Sequence, residues 1–197
     1  MLAYVIAIII WASIAYYLYK NRIWIFYYIW AAVGMTIIAI LLLRGSPVEY
    51  AIEQWTGLIL HYSLGLVGIK TMVFDKSPGT VLVLLALENS WTCIDIDIEC
   101  SGLLESCVLL GLLLFFPIGN RRTKIFQAVA GLAALYSANL VRLYTIVAII
   151  NIWGRNAMYI AHTLIGRLVF FILAVIIYWY LFTRPTLGDV RKKGKHA

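Results

Sequence analysis

The chain reads as an all-α polytopic membrane protein, and three observations lead there. First, 63% of its 197 residues are apolar and only 13% are charged. A soluble domain of this length could not hide so much apolar surface from water. Second, five apolar runs approach or exceed the roughly 20 residues that cross a bilayer core. Third, the basic residues fall between those runs in a pattern of alternating sidedness.

The first run covers residues 2–19. No basic stretch precedes it and no small-residue cleavage site follows it, so it reads as a retained span and not as a removed signal peptide. The second covers 23–43. The third, 101–117, is slightly short and carries Glu105, but Leu103, Leu104 and the residues from Val108 to Phe116 are otherwise strongly apolar. The fourth and fifth cover 125–150 and 159–182. There is no repeat, low-complexity stretch or Gly/Ser linker, so one membrane domain over 1–197 is the simplest organisation.

Lys and Arg beside short loops stay on the cytoplasmic side. Lys20 and Arg22 form one basic turn, and Arg121, Arg122 and Lys124 form another. Arg184, Arg191, Lys192, Lys193 and Lys195 lie in a basic tail over 184–197. Together these hold ten of the sixteen basic residues. Segment 44–99 has three basic residues against seven acidic ones, and the short loop 151–158 has only Arg155. Five spans reproduce this pattern with the N-terminus outside and the C-terminus inside. A sixth span over 57–74 would leave 80–87 too short to bring the chain back. The net charge of +7 follows sidedness and is not a nucleic-acid signal.

The extracytoplasmic segment 44–99 has structure of its own. Residues 48–69 mix Glu49, Glu53 and Gln54 with Trp55, Leu58, Ile59 and Tyr62, which suits a helix lying in the membrane interface. After a turn at 75–79, the run 80–85 is strand-like. A second turn at 88–90 leads into 93–99, where Ile94, Ile96 and Ile98 alternate with Asp95, Asp97 and Glu99. A two-residue period is a strand signature, so a small β-hairpin is expected, with the isoleucines facing the bundle. The same parity turns Cys100 toward the membrane side.

Three residues carry candidate chemistry. Arg142 lies inside the fourth run, eight residues before Ile150, or about 12 Å deep by helical rise. A charge at that depth is costly and usually faces a bundle interior or a functional cavity; the plain alternative is a structural salt bridge. Cys100 stands where the strand pattern stops and the third run begins. A helix N-terminus there would lower the thiol's pKa, Asp97 and Glu99 would oppose it, and a packing cysteine is the plain alternative. His162 opens the fifth run, where a hydrogen-bonded interface residue is the ordinary role. Three separate runs thus bring a nucleophile, a cation and a base to one outer layer. Cys with His is the usual activated-thiol pair, and Arg142 would hold the substrate carbonyl or stabilise the oxyanion.

Cys100-Ser101-Gly102, then Asn139-Leu140-Val141-Arg142, then His162 with Gly166 one turn later, resemble the three sequence blocks of the exosortase/archaeosortase family. The likeness covers residues 91–182 and is closest to the family's compact, Gram-positive-like branch. It implies a multi-spanning cell-membrane cysteine peptidase or transpeptidase, with a Cys, Arg and His site on the outer face. It also implies a substrate: a membrane-anchored protein ending in a short motif, a transmembrane helix and a basic cluster. The outer segment 47–90 has no counterpart in that pattern.

Four further residues are placed in support. Glu105 and Arg167 lie five residues beyond Cys100 and His162, and they are expected to pair, since an unpaired charge there would be costly. Ser101 and Asn139 would donate near the oxyanion, or cap and pack helices. Cys107 is too far along its helix to bridge Cys100, whereas a Cys93–Cys100 disulfide would silence the thiol. His61 is expected at the interface and His196 in the tail. Asp95, Asp97 and Glu99 read as a solvated strand face. No zinc-type ligand cluster or Gly-rich phosphate loop is present, so neither metal nor cofactor is expected. The competing reading is a non-catalytic membrane scaffold for surface-polymer or protein export, with a transporter a weaker third.

Overall fold

The computed structural model describes residues 2–77, 80–86, 91–116 and 121–184. Residues 78–79 of the first expected turn, the second turn, residues 117–120, and the tail from 185 onward with His196 lie outside the described residues. The described residues are mostly helical, with six helices and one small sheet. Among them, three helices are long and apolar enough to cross a membrane: Trp24–Leu43, Arg122–Trp153 and Arg155–Thr183. Ile6–Lys20 and Leu103–Phe115 are shorter apolar helices. Residues 1–44 and 104–132 form one compact unit; residues 45–103 and 133–197 form another.

In the first unit, α1 (Leu2–Lys20) and α2 (Trp24–Leu43) are joined by the basic turn, with Arg22 at a φ of 56°. Trp11 Nε1 donates to the Trp30 carbonyl and Trp30 Nε1 to the Trp11 carbonyl, each at 3.2 Å. An apolar medium supplies no water for an indole N–H, so reciprocal capture by the facing backbone satisfies both. α4 (Leu103–Phe115) brings Phe115 edge-on to Trp11 and Tyr27, with ring centroids at 6.3 and 6.1 Å.

The second unit holds segment 45–99. α3 (Pro47–Leu66) starts with Ser46 accepting from the Glu49 amide and Pro47 in the first turn, both strong helix starters. Its buried positions are Glu53, Thr56, Gly57, Leu60 and Leu64, one face of a 3.6-residue period, while Trp55 and Tyr62 are exposed. That face packs on a three-stranded antiparallel sheet: β1 (Thr71–Ser77), β2 (Thr80–Ala86) and β3 (Trp91–Asp95), in that order. A Cβ at Gly57 would stand 3.0 Å from Val81 Cγ1, so a larger residue would need Val81 to shift where helix and sheet meet.

The expected hairpin is β2–β3, paired through Val83↔Ile94 and Leu82↔Asp95. Two features depart from expectation. β1 is an added strand, paired through Val73↔Val83; Met72-Val73-Phe74 is too short a run to declare itself before β2 offers a partner. The second strand ends at Asp95 and not at Glu99, with a last ladder bond from the Ile96 amide to the Val81 carbonyl at 2.9 Å. The parity holds past that point: Ile94, Ile96 and Cys100 are each 1% exposed, whereas Asp95, Asp97 and Glu99 face outward.

α5 (Arg121–Trp153) breaks at Gly154, whose φ is 75°, so the loop expected over 151–158 shrinks to a 3₁₀ turn at Arg155–Ala157. Tyr136 and Tyr144 on α5 meet Thr56 and Ser63 on α3 at 3.3 and 2.6 Å. A π-helical stretch, Ile160–Ile165, then leads into α6 (Gly166–Tyr178). One core joins these pieces: Leu60 and Leu64, Val81 and Val83, Ile94 and Ile96, Cys100, Leu143, Ile146, Val147 and Ile150, and Ala161.

Candidate functional site

The site begins with a turn. Asp97 Oδ1 accepts from the amides of Glu99 and Cys100, both at 3.0 Å, and the Asp97 carbonyl accepts from the amides of Cys100 and Ser101. An Asp in this position offers the backbone an alternative to the ladder, which is why the strand stops. Gly102 follows at a φ of 75°, a conformation side chains disfavour, and the chain then enters α4. Ser101 Oγ donates to the Ile98 carbonyl at 3.0 Å and closes the turn from within.

α5 holds the turn from outside. Asn139 Nδ2 donates to the Cys100 carbonyl at 2.6 Å, and Arg142 Nη1 donates to the Glu99 carbonyl at 3.1 Å. Three residues apart on a helix, the two side chains share a face, so the Asn-x-x-Arg spacing grips two consecutive carbonyls. Asn139 is fully buried, and its Oδ1 has no hydrogen-bond partner among the described residues. Arg142 is 4% exposed; its guanidinium lies over the Phe170 ring at 5.9 Å, and its Nε is buried without a hydrogen-bond partner. One donor is spent on the turn and another is left over.

His162 completes the arrangement. Its Nε2 stands 3.4 Å from Cys100 Sγ, a contact spanning 62 residues of sequence. The residue sits in the π-helical stretch and not in regular α-helix. Such insertions re-aim side chains and frequently mark functional positions. Cys100, Arg142 and His162 thus meet in one place, as their sequence positions suggest.

The thiol is not the one a helix N-terminus would produce. Cys100 is pushed up to about 12, chiefly by burial, with the Arg142 charge pulling it down and the Asp97 charge pushing it up. α4 starts three residues after Cys100, so its dipole acts from a distance while desolvation acts at the sulfur. The resting group is a neutral thiol beside a ring nitrogen, suited to losing its proton when a reacting group arrives.

The supporting residues divide differently from expectation. Arg167 Nη2 lies 3.5 Å from Glu99 Oε2, an ion pair inside the second unit. The parity of the turn explains this, because it points Glu99 outward. Glu105 stands in the first turn of α4, in the other compact unit. The donors of Ser101 and Asn139 are used on backbone carbonyls, which makes both of them turn-holders. Cys93, Cys100 and Cys107 are free thiols. His61 Nδ1 meets Thr71 Oγ1 at 2.6 Å, tying α3 to β1. Asp97, read from sequence as part of a solvated face, is central to the turn; its place three residues before a cysteine at a helix entry is the signal that would have found it. Among the described residues, no group of three His, Cys, Asp or Glu side chains could hold a metal ion.

No protein-family model, curated protein or solved structure matches the chain.

Proposed function

We propose that the protein is a membrane cysteine endopeptidase of exosortase type, acting at the outer face on membrane-anchored surface proteins. The observation that carries this reading is the 3.4 Å approach of His162 Nε2 to Cys100 Sγ beside the buried Arg142. In the reading, five spans run with the N-terminus outside, and the sheet and α3 lie on the outer surface.

The chemistry balances with these three side chains. Nε2 of a neutral His162 takes the Cys100 proton as sulfur attacks the scissile carbonyl carbon. The tetrahedral oxyanion accepts from the donor of Arg142 that the turn does not use. The C–N bond then breaks, His162 returns the proton to the leaving amine, and a thioester remains on Cys100. Water or an amine acceptor attacks the thioester with His162 again as base, and the thiol is restored. A buried, uncharged thiol suits this order, because proton removal and attack are coupled.

The test is surface-protein processing in cells whose only copy carries Cys100→Ala. The reading expects full-length, uncleaved precursors in the membrane while the variant inserts normally. Wild-type processing in that strain would leave the scaffold alternative, with Cys100 as a packing residue and Arg142 as a strut.

A further inference from the structure

β3 is an edge strand, and the edge it leaves open leads into the Cys100 turn. The bond from the Ile96 amide to the Val81 carbonyl sets the phase of the β2–β3 ladder. Bonded and non-bonded pairs alternate in an antiparallel ladder, so Ile96, Ile94 and Thr92 direct their backbone groups at β2. Cys93 and Asp95 therefore direct theirs away from the sheet. Among the described residues no strand lies on that side, and the backbone groups of Cys93 and Asp95 make no hydrogen bond. Asp95 is exposed and Cys93 half-buried, so the edge is accessible.

The edge is also anchored. Ile94 and Ile96 are buried in the same core as Cys100, so one core holds both the strand and the candidate nucleophile. Cys100 lies five positions after Asp95, at most about 17 Å of extended chain. A peptide bonded to this edge is already extended, and it reaches the thiol within a few residues.

We infer that the open edge of β3 is the docking strand for the extended segment of a peptide substrate adjoining its scissile bond. The inference rests on the peptidase reading and names how that site takes its substrate. Adding a strand satisfies the two open amides and two open carbonyls and fixes the peptide's direction past Cys100. Charge selects the kind of occupant. Asp95 and Asp97 are exposed beside the edge, so a second copy of β3 would bring like charges together. A neutral or basic peptide meets no such repulsion.

The precursor that accumulates in the Cys100→Ala strain supplies the probe. Synthetic peptides spanning its cleavage site, each with one backbone amide N-methylated, are presented to the wild-type protein in lipid nanodiscs. Edge pairing uses every second residue, so methylation at alternate positions is expected to slow cleavage at least ten-fold and at intervening positions less than two-fold. Sensitivity without alternation, or none, overturns the inference. Asp95→Pro removes one open amide and leaves the ladder to β2 intact. It is expected to abolish cleavage while Cys100 alkylation by iodoacetamide keeps its wild-type rate; wild-type cleavage by this variant also overturns the inference. If the Cys100→Ala strain processes normally, the peptidase reading itself has failed and the inference falls with it. If that strain accumulates precursor but the methylation scan is flat, only the docking strand is lost.

Discussion

Asn139 and Arg142, one turn apart on α5, hold the consecutive carbonyls of Cys100 and Glu99. The helix that supplies the cation therefore also fixes the position of the sulfur. This joint role explains why both residues are buried in a helix whose other interior positions are apolar. It also separates two kinds of contribution, which substitutions can tell apart.

Asn139→Ala leaves the buried Cys100 carbonyl without its donor. An unsatisfied buried group costs about 1–3 kcal/mol. The melting temperature in detergent should fall by about 2–4 °C for each kcal/mol lost in a chain of this size. Processing should fall at least ten-fold, because the thiol loses its alignment with His162. A variant that melts lower yet processes normally would limit Asn139 to packing.

Arg142→Lys keeps the charge and removes the planar fork of donors. An ammonium cannot reproduce both the bond to the Glu99 carbonyl and a second directed donor. Processing is expected to drop at least ten-fold, with less loss of thermal stability than in Arg142→Ala. Wild-type activity in the lysine variant would mean that charge alone is needed.

Cys100 should react slowly with iodoacetamide near neutrality. A thiol pushed to about 12 is almost wholly protonated at pH 8. Only the thiolate is alkylated, so the rate should rise about ten-fold per pH unit from 7 to 10. A plateau already reached by pH 8, followed by mass spectrometry of the modified residue, would contradict a neutral resting thiol.

Glu53 gives a pH-dependent stability prediction. Burial on the sheet side of α3, with the charges of Glu49, Asp97 and Asp95 added, raises its carboxyl to about 7. The folded state thus binds this proton more tightly than the unfolded one, so the group lowers stability as pH rises from about 4.5 to 7. Glu53→Gln removes that loss. The variant should melt above wild type at pH 8 and alongside it at pH 4.5. An equal shift at both values would mean that packing, and not ionisation, is responsible.

Much of this was legible in sequence because the strongest signals are periodic or costly. The long apolar runs announce helices. The alternation from Ile94 to Ile98 places Cys100 on the buried side, and a charge within an apolar run singles out Arg142. What sequence hid is set by local hydrogen bonding and by partners distant in the chain. Asp97 looks like one more exposed acid until its carboxylate gathers the Glu99 and Cys100 amides. Arg167 gives no sign in sequence that Glu99 is its partner, because the turn sets where Glu99 points. β1 exists because β2 offers an edge, and neither run alone has a pattern strong enough to predict it. The π-helical register at His162 has no compositional signature at all.

The central claim is that Cys100 forms a covalent bond to substrate. Intact-mass measurement of the wild-type protein, mixed with the precursor that accumulates in the Cys100→Ala strain, tests it most directly. A thioester adduct is expected on the peptide containing Cys100, released by hydroxylamine and not formed by His162→Ala. Cleavage of the precursor with no adduct on Cys100 at any time, or by protein lacking that thiol, would contradict it.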